Sequence, residues 1–172
     1  AAVVDQINAG CNEAYLPDHR LPAGIRATTD PAAAAEGADH VVLAVPSQTL
    51  RDNLGRWGGA IPSDASVVSL MKGVELGTTR RMSEVITEVA EVEPERVVVV
   101  SGPNLAREIV ERHPAASVVA CVDDERAEAV AAACATQTFR PYTTTDVVGA
   151  EIGGAVKNVI ALAVGIAEGL HM

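Results

Sequence analysis

Apolar residues form short runs that alternate with segments of helical spacing along most of this chain. Continuous valine-rich runs cover residues 40–45, 66–71, 97–101 and 116–122. Each run is followed by a proline, a glycine or a charged residue, which is typical of strands buried on both faces of a sheet. Segments with helical spacing lie at residues 47–57, 78–90, 104–112 and 123–134. Strands that alternate with helices through short connections predict a doubly wound parallel α/β sheet.

Weaker patterns precede and follow this central part. Residues 1–9 have helical spacing, and residues 25–28 predict a short strand. Asp30 stands before Pro31 at the start of an alanine-rich segment, which provides an N-cap and a first-turn proline where a helix tolerates them. Residues 139–142 predict the last strand.

The last segment, residues 146–170, is one long apolar pattern of helical spacing. Its length approaches the ~20 residues that span a bilayer, and its glycines include GxxxG spacings. Glu151 and Lys157 lie inside it, however, and each charge costs roughly 2.5–3.5 kcal/mol on insertion into lipid. We therefore predict a buried helix rather than a membrane span, with glycines that allow close backbone contact.

Composition and charge exclude several classes of protein. The 172 residues carry a net charge of −10 and no stripe of Lys and Arg, which argues against a nucleic-acid partner. Cys11, Cys121 and Cys134 are widely spaced, and neither they nor the histidines have metal-ligand spacing. We therefore predict free thiols, a cytoplasmic location and no metal site.

The sequence begins without Met, inside a predicted helix, and without the pattern of a secretory signal. It contains no GxGxxG turn, which a dinucleotide-binding sheet needs for the pyrophosphate. If the chain forms such a sheet, we expect the first βα unit, with that turn, to lie upstream of Ala1.

Residues able to bind a ligand follow three of the predicted strands. Parallel α/β sheets bind ligands at the carboxyl ends of their strands, and the sequences there are Pro46-Ser47, Lys72-Gly73 and Ser101-Gly102-Pro103-Asn104. Gly102 leaves room for a ligand, and free N–H groups at the next helix suit a phosphate or ribose oxygen. The competing interpretations are a solvated lysine at Lys72 and a structural turn with a helix cap at Asn104.

Lys157 lies in the least polar part of the chain. Burying an ammonium group is costly unless it is paired or gives up its proton. One interpretation is a lysine that extends to solvent or pairs with Glu151. The interpretation we favour is a lysine that accepts a proton near neutral pH, beside Lys72, in a site for an anionic substrate.

Together these segments resemble the NAD(P)-dependent glycerol-3-phosphate dehydrogenase family of bacterial type, over nearly the whole chain. The matching sequences are NEAYLP at 12–17, VVLAVPS at 41–47, KGVE at 72–75, SGPNLARE at 101–108 and GGAVKNVIA at 153–161. The last two are the most specific. The resemblance places the chain in the middle portion of such an enzyme.

The resemblance implies two domains and an activity. Residues 1–145 would form a Rossmann-like dinucleotide-binding domain that lacks its first βα unit, and residues 146–172 would form the first helix of an all-helical substrate domain. The family interconverts sn-glycerol 3-phosphate and dihydroxyacetone phosphate by hydride transfer with NAD or NADP. This reaction supplies glycerol phosphate for phospholipid synthesis.

The family's functional residues map onto individual positions of this sequence. The implied catalytic residues are Lys157, as proton acceptor, and Lys72. The implied substrate contacts are Lys72, Gly102, Asn104, Lys157 and Asn158. The implied cofactor contacts are Lys72, Ala106, Pro46 and Leu50. Family members commonly carry Ser or Thr where this chain has Asn104, so the hydroxyl geometry at that position is lost.

Two other interpretations stay open at this point. One is a related two-domain ketopantoate or hydroxyacid reductase, and the other is a nucleotide-binding domain without catalysis. In either case the expected partners are small molecules, and the long apolar helix predicts a homodimer.

Overall fold

The computed structural model describes residues 2–171. The predictions for Ala1 and Met172 fall outside the described residues. The strands are β1 (His40–Leu43), β2 (Ser66–Ser69), β3 (Val97–Ser101), β4 (Ala115–Ala120) and β5 (Phe139–Thr144). The α-helices are α1 (Ala2–Asn8), α2 (Pro31–Ala35), α3 (Leu50–Trp57), α4 (Met82–Ala90), α5 (Ala106–Val110), α6 (Asp124–Cys134) and α7 (Val147–Gly169).

The five strands form one sheet in the order β1-β2-β3-β4-β5. Strands β1, β2 and β3 run parallel, with Val42 beside Val68 and Val68 beside Val98. The predicted Rossmann-like α/β class is confirmed.

The prediction of an entirely parallel sheet needs a correction at β4. This strand is antiparallel to β3, and β5 is parallel to β4. The cause lies in the connections, because a parallel crossover requires a helix long enough to return the chain along the sheet. Helix α5 has only 5 residues, so β4 starts from the edge where β3 ended. Helix α6 has 11 residues and returns the chain to start β5 in parallel.

Helices cover both faces of the sheet, which explains why the strands are valine-rich throughout. On one face Val67 and Val97 pack with Leu54, Val85 and Ile86 of α3 and α4. On the other face, Val98 and Val119 pack with Ala127 and Val130 of α6. The strands at the centre therefore have no solvated face, as the continuous apolar runs predicted.

Two predicted elements differ in the structure. Residues 25–28 form no strand. Instead, the side chain of Asn8 forms two hydrogen bonds with the backbone of Ala27. Its Nδ2 donates to the carbonyl oxygen at 3.0 Å, and its Oδ1 accepts from the N–H at 2.8 Å. Helix α4 begins at Met82 rather than at residue 78, because Thr79 has a φ of 57° and Val74 pairs with Arg81 across the loop.

Helix α7 is mostly exposed in this chain, which corrects the prediction of a buried helix. Only its first part is docked: Val147 packs against Val99 and Ala120, and the buried positions of the helix are Val147, Glu151 and Gly154. Beyond residue 155 no described element covers its apolar side chains. The helix has 23 residues, and an 18-residue window within it has a mean hydropathy of 1.6. By length and composition alone, it could cross a membrane.

Candidate active site

The carboxyl ends of three strands meet at one edge of the sheet, as their parallel direction requires. At this edge the end of β1 contacts the end of β2. Gly73 has a φ of 137°, and a Cβ placed on it would lie 3.2 Å from Ser47 Oγ. A larger residue would be strained there, so Gly73 keeps the backbone after Lys72 close to the turn after β1.

Lys72, Gly102 and Lys157 line a single cleft of about 280 Å³ between this edge and the first turns of α7. The other lining residues are Ser101, Pro103, Val118, Gly149, Ala150, Gly153 and Gly154. None of these described lining residues is acidic, whereas two carry ammonium groups. The cleft therefore presents positive charge to a small anion.

The ammonium group of Lys72 is fixed by a neighbouring strand end. Its Nζ donates to the carbonyl oxygen of Gly102 at 2.8 Å. Partial burial, and in second place the charge of Lys157, lower the pKa of Lys72. Lys72 and Lys157 line the same cleft, so their ammonium groups repel each other there.

Two glycines bring the walls of this cleft together. A Cβ on Gly102 would lie 2.6 Å from Ser117 Oγ and 2.7 Å from the carbonyl oxygen of Ala116. A Cβ on Gly154 would lie 2.6 Å from Ser101 Oγ and 3.5 Å from the stem of Lys72. The contacts of 2.6 and 2.7 Å are too short for an added carbon. Glycine at 102 therefore lets the turn after β3 lie close to β4, and glycine at 154 lets α7 lie close to the end of β3.

The structure places Lys157 beside Lys72 and the 101–103 turn, although not buried. Its side chain is exposed on α7, because the part of the helix that follows it has no covering element among residues 2–171. The predicted burial of Lys157 is therefore wrong for this chain, whereas its predicted position in the cleft agrees with the structure.

Pairing between Lys157 and Glu151, the competing interpretation, does not occur in the structure. The buried Glu151 carboxylate accepts hydrogen bonds from Arg81 Nη1 at 2.7 Å, from the backbone N–H of Ser83 at 2.8 Å and from Ser83 Oγ at 2.6 Å. Sequence reasoning missed Arg81 and Ser83. The available signal was Glu151 itself, since a carboxylate in an apolar helix requires partners.

Asn104 follows the turn after β3 but is not among the residues that line the cleft. Its Nδ2 donates to Ser117 Oγ on β4, and its Oδ1 is buried without a hydrogen-bond partner among the described residues. The amide therefore joins the turn after β3 to β4.

The remaining predicted residues lie outside the cleft lining. Pro46 is exposed at the end of β1, Ala106 is exposed at the first position of α5, and Asn158 is exposed on α7. Leu50 needs a correction, because it is 0% exposed and packs with the core formed by α3 and α4. A side chain with no accessible surface offers no contact to a cofactor, so Leu50 is not retained in the site.

The loop after Lys72 is held by residues that the sequence analysis did not single out. Gln48 donates from Nε2 to the carbonyl of Val74 at 2.8 Å and accepts the N–H of Leu76 at 2.9 Å. Arg51 binds both carboxylate oxygens of Glu75, at 2.8 and 3.0 Å. The hydrogen bonds from Arg51 and, next, from Thr78 lower the pKa of Glu75 to about 2. We call residues 72–81 the lysine loop; Arg51 thus ties this loop to α3.

Other parts of the described chain offer less chemistry. A larger cleft of about 660 Å³ lies near the starts of β4 and β5, between Arg112 and Phe139. It lies away from the three strand ends and contains neither lysine. Within residues 2–171, no group of three His, Cys, Asp or Glu side chains is placed to hold a metal ion, and Cys11, Cys121 and Cys134 are free thiols.

Comparison with known proteins identifies the relatives of this chain. The sequence model of the NAD-dependent glycerol-3-phosphate dehydrogenase N-terminus matches residues 1–127, and that of the C-terminus matches residues 146–172. A glycerol-3-phosphate dehydrogenase [NAD(P)+] of Streptomyces avermitilis is 60% identical over 173 residues, covering 100% of this chain and 52% of that protein. The chain therefore spans about half the length of the curated relatives that it matches.

Solved structures agree with this relationship. The glycerol-3-phosphate dehydrogenase of Coxiella burnetii has a TM-score of 0.86 and 31% identity, covering 99% of this chain and 52% of its own. That of Plasmodium falciparum has a TM-score of 0.89 and 27% identity, covering 99% and 48%. A 2-dehydropantoate 2-reductase of Enterococcus faecalis, at a TM-score of 0.57 and 11% identity over 87% and 49%, shares the fold alone.

Proposed function

Because this chain belongs to the NAD-dependent glycerol-3-phosphate dehydrogenase family, we propose that it contributes the proton-transfer site of an enzyme interconverting sn-glycerol 3-phosphate and dihydroxyacetone phosphate with NAD or NADP. One observation carries this proposal: Lys72 and Lys157 line the same cleft at the carboxyl edge of three parallel strands. Two cations at that edge match an anionic substrate, and parallel α/β sheets bind their ligands there.

The edge also fits part of a dinucleotide. Gly73 and Gly102 expose bare backbone on either side of Lys72, where an added Cβ would meet Ser47 or Ser117. Lys72 and the exposed Pro46 and Ala106 are the residues we expect to hold the cofactor. Bound NAD(P) would supply the group that takes or gives a hydride.

Lys157 acts as the base in the proposed reaction. During oxidation, the C2–H bond of glycerol 3-phosphate breaks as a hydride leaves, and the C2 hydroxyl proton passes to the Nζ of Lys157. During reduction, the ammonium of Lys157 returns that proton to the C2 oxygen of dihydroxyacetone phosphate. Lys72 holds negative charge on the substrate and fixes its position, aided by the N–H and backbone of Gly102. Asn104 and Asn158 are proposed as further substrate contacts.

The wider assignments are proposals of the same kind. We propose that residues 1–145 belong to the dinucleotide-binding domain and that residues 146–172 begin the helical substrate domain, in line with the two matching family models. A cytoplasmic homodimer that supplies glycerol phosphate for phospholipid synthesis is the expected setting. Free thiols support the location, and the exposed apolar surface of α7 supports association.

Ketopantoate reduction and a non-catalytic role are not proposed. The likeness to the Enterococcus faecalis reductase is one of fold alone. A non-catalytic domain would leave the pair of lysines in one cleft without a purpose.

The proposal is tested in a chimera in which this chain replaces the aligned segment of the Streptomyces avermitilis relative. We expect the chimera to oxidise NAD(P)H with dihydroxyacetone phosphate and not with ketopantoate. Lys157→Ala should lower kcat by about 10²–10⁴-fold, the usual contribution of general acid–base catalysis. Glu168→Gln, an exposed charge near the end of α7, is the matched control and should leave kcat unchanged.

Two outcomes would contradict the proposal. One is a folded chimera that turns over ketopantoate instead of dihydroxyacetone phosphate. The other is a Lys157→Ala chimera whose turnover matches that of the Glu168→Gln control.

A further inference from the structure

We propose that Glu151 is a positioning residue, whose buried carboxylate fixes the rotation and axial position of α7 and thereby holds Lys157 in the cleft with Lys72. The inference deepens the proposed function and rests on it for its catalytic consequence. Its structural part, that Glu151 determines where Lys157 lies, is independent of the reaction.

Glu151 is the buried charged residue of α7 and is 6% exposed. A carboxylate in such surroundings is tolerated only where hydrogen bonds replace water. It receives them from the side chain of Arg81 and from the backbone and hydroxyl of Ser83. If the Glu151 carboxylate moved away from Arg81 and Ser83, its buried charge would be left without a partner. The position of Glu151 against α4 is therefore strongly favoured over others.

The Glu151 carboxylate binds at the first turn of α4, and this turn is itself held by further contacts. Ser83 lies in that turn, where backbone N–H groups have no partner within the helix and attract negative charge. Arg81 is held from the other side by Glu84, whose carboxylate lies 3.1 Å from its Nη2 and accepts its backbone N–H at 2.8 Å. Glu151 therefore binds to a rigid element rather than to a loop.

The other contacts of the docked part of α7 have no such directionality. Val147 and Ala150 make apolar contacts with Val99 and Ala120, and Gly154 provides close approach to Ser101. Apolar packing allows a helix to slide or rotate, whereas hydrogen bonds require defined directions. Among the described residues, Glu151 forms the side-chain hydrogen bonds between α7 and another element.

Lys157 lies downstream of this anchor. It follows Glu151 by six residues, or about 9 Å along the helix axis, with Gly154 between them. Beyond residue 155 the side chains of α7 are exposed up to residue 166, so little packing holds this part of the helix in place. A rotation or shift released at Glu151 would therefore move Lys157 relative to Lys72.

The test uses the reactivity of Lys72, which does not depend on catalysis. Lys72 and Lys157 are the two lysines of this sequence. Peptide mass spectrometry after treatment with a small amine-reactive acylating agent therefore measures the acylation of each one separately. Because burial and, in second place, the charge of Lys157 lower the pKa of Lys72, Lys157→Ala should raise that pKa and slow the acylation of Lys72 at pH 8. Glu151→Gln should slow it in the same direction, and Glu168→Gln should not.

Circular dichroism accompanies each variant to show that it is folded. If Glu151→Gln does not fold, Ser83→Ala replaces it, since this change removes one hydrogen bond to the carboxylate and should produce a smaller slowing of Lys72. In the chimera, Glu151→Gln should lower kcat at least tenfold while the KM for the dinucleotide stays within twofold, because the anchor touches neither substrate nor cofactor.

An unchanged Lys72 rate in folded Glu151→Gln, together with a slower rate in Lys157→Ala, would overturn the proposal. An unchanged rate in Lys157→Ala would overturn it as well, because the two lysines would then not be neighbours. Failure of the proposed function would look different. Acylation of Lys72 would be slower in both Glu151→Gln and Lys157→Ala, but the Lys157→Ala chimera would stay active.

Discussion

The sheet core and helix α7 are both rich in apolar residues, yet this chain buries the core strands and leaves most of α7 exposed. Val67, Val98 and Val119 are 0% exposed between two layers of helices. On α7, Val159 and Leu162 are 66% exposed. The difference teaches that apolar composition shows which surface requires a partner, whereas burial depends on whether the chain itself provides that partner.

The largest expected effect compares one leucine from each region. Leu50→Ala removes a fully buried side chain and should lower the free energy of unfolding by about 2–5 kcal/mol. Leu162→Ala, on the exposed part of α7, should change it by less than about 0.5 kcal/mol. Urea unfolding of both variants measures the contrast. Equal losses would show that α7 is buried in solution and would break the comparison.

An intermediate effect is expected within the docked part of α7. Gly153 and Gly154 are adjacent helical glycines, and a Cβ meets nothing within 4 Å at Gly153 but lies 2.6 Å from Ser101 Oγ at Gly154. Gly153→Ala should therefore gain up to about 1 kcal/mol of stability from helix propensity. The free energy of unfolding of Gly154→Ala should be about 1–3 kcal/mol lower than that of Gly153→Ala, because the Ser101 hydroxyl or α7 must move. Indistinguishable unfolding midpoints would mean that α7 does not press against β3.

The smallest effect concerns the part-buried ion pair between Arg51 of α3 and Glu75 of the lysine loop. The pKa of Glu75, about 2 when folded, lies below its ordinary value of 4.5. The Arg51–Glu75 contact therefore stabilises the fold above pH 4.5 and is lost as the pH falls toward 2. Glu75→Gln should be slightly less stable than the parent at pH 7, and the difference should vanish near pH 2. A constant difference in urea midpoint across this range would contradict the assignment.

Much of the fold could be predicted because its signals are local. The valine-rich runs predicted strands with two buried faces, and Asp30 and Asp123 cap the helices that follow them. The direction of β4 could not be read from its residues, since a short apolar run is the same in either direction. That direction depends on how short α5 is. The sequence predicted a helix over residues 104–112, whereas α5 covers only Ala106–Val110.

The candidate site was predictable in part for a similar reason. Parallel strand ends and the two lysines could be brought together from topology and resemblance, whereas the exposure of Lys157 depends on what covers α7. The contacts of Asn104 and Glu151 are long-range pairings that no spacing encodes. Leu50 is different, because its spacing to Leu54 and Trp57 already indicated a core-facing side of α3.

The central claim is that Lys72 and Lys157 form one anion site, and substrate protection tests it directly. In the chimera, the acylation rates of both lysines are followed by mass spectrometry while glycerol 3-phosphate is added. The account predicts that both rates fall together, with the same half-saturating concentration. Protection of one lysine without the other, or of neither, would contradict it.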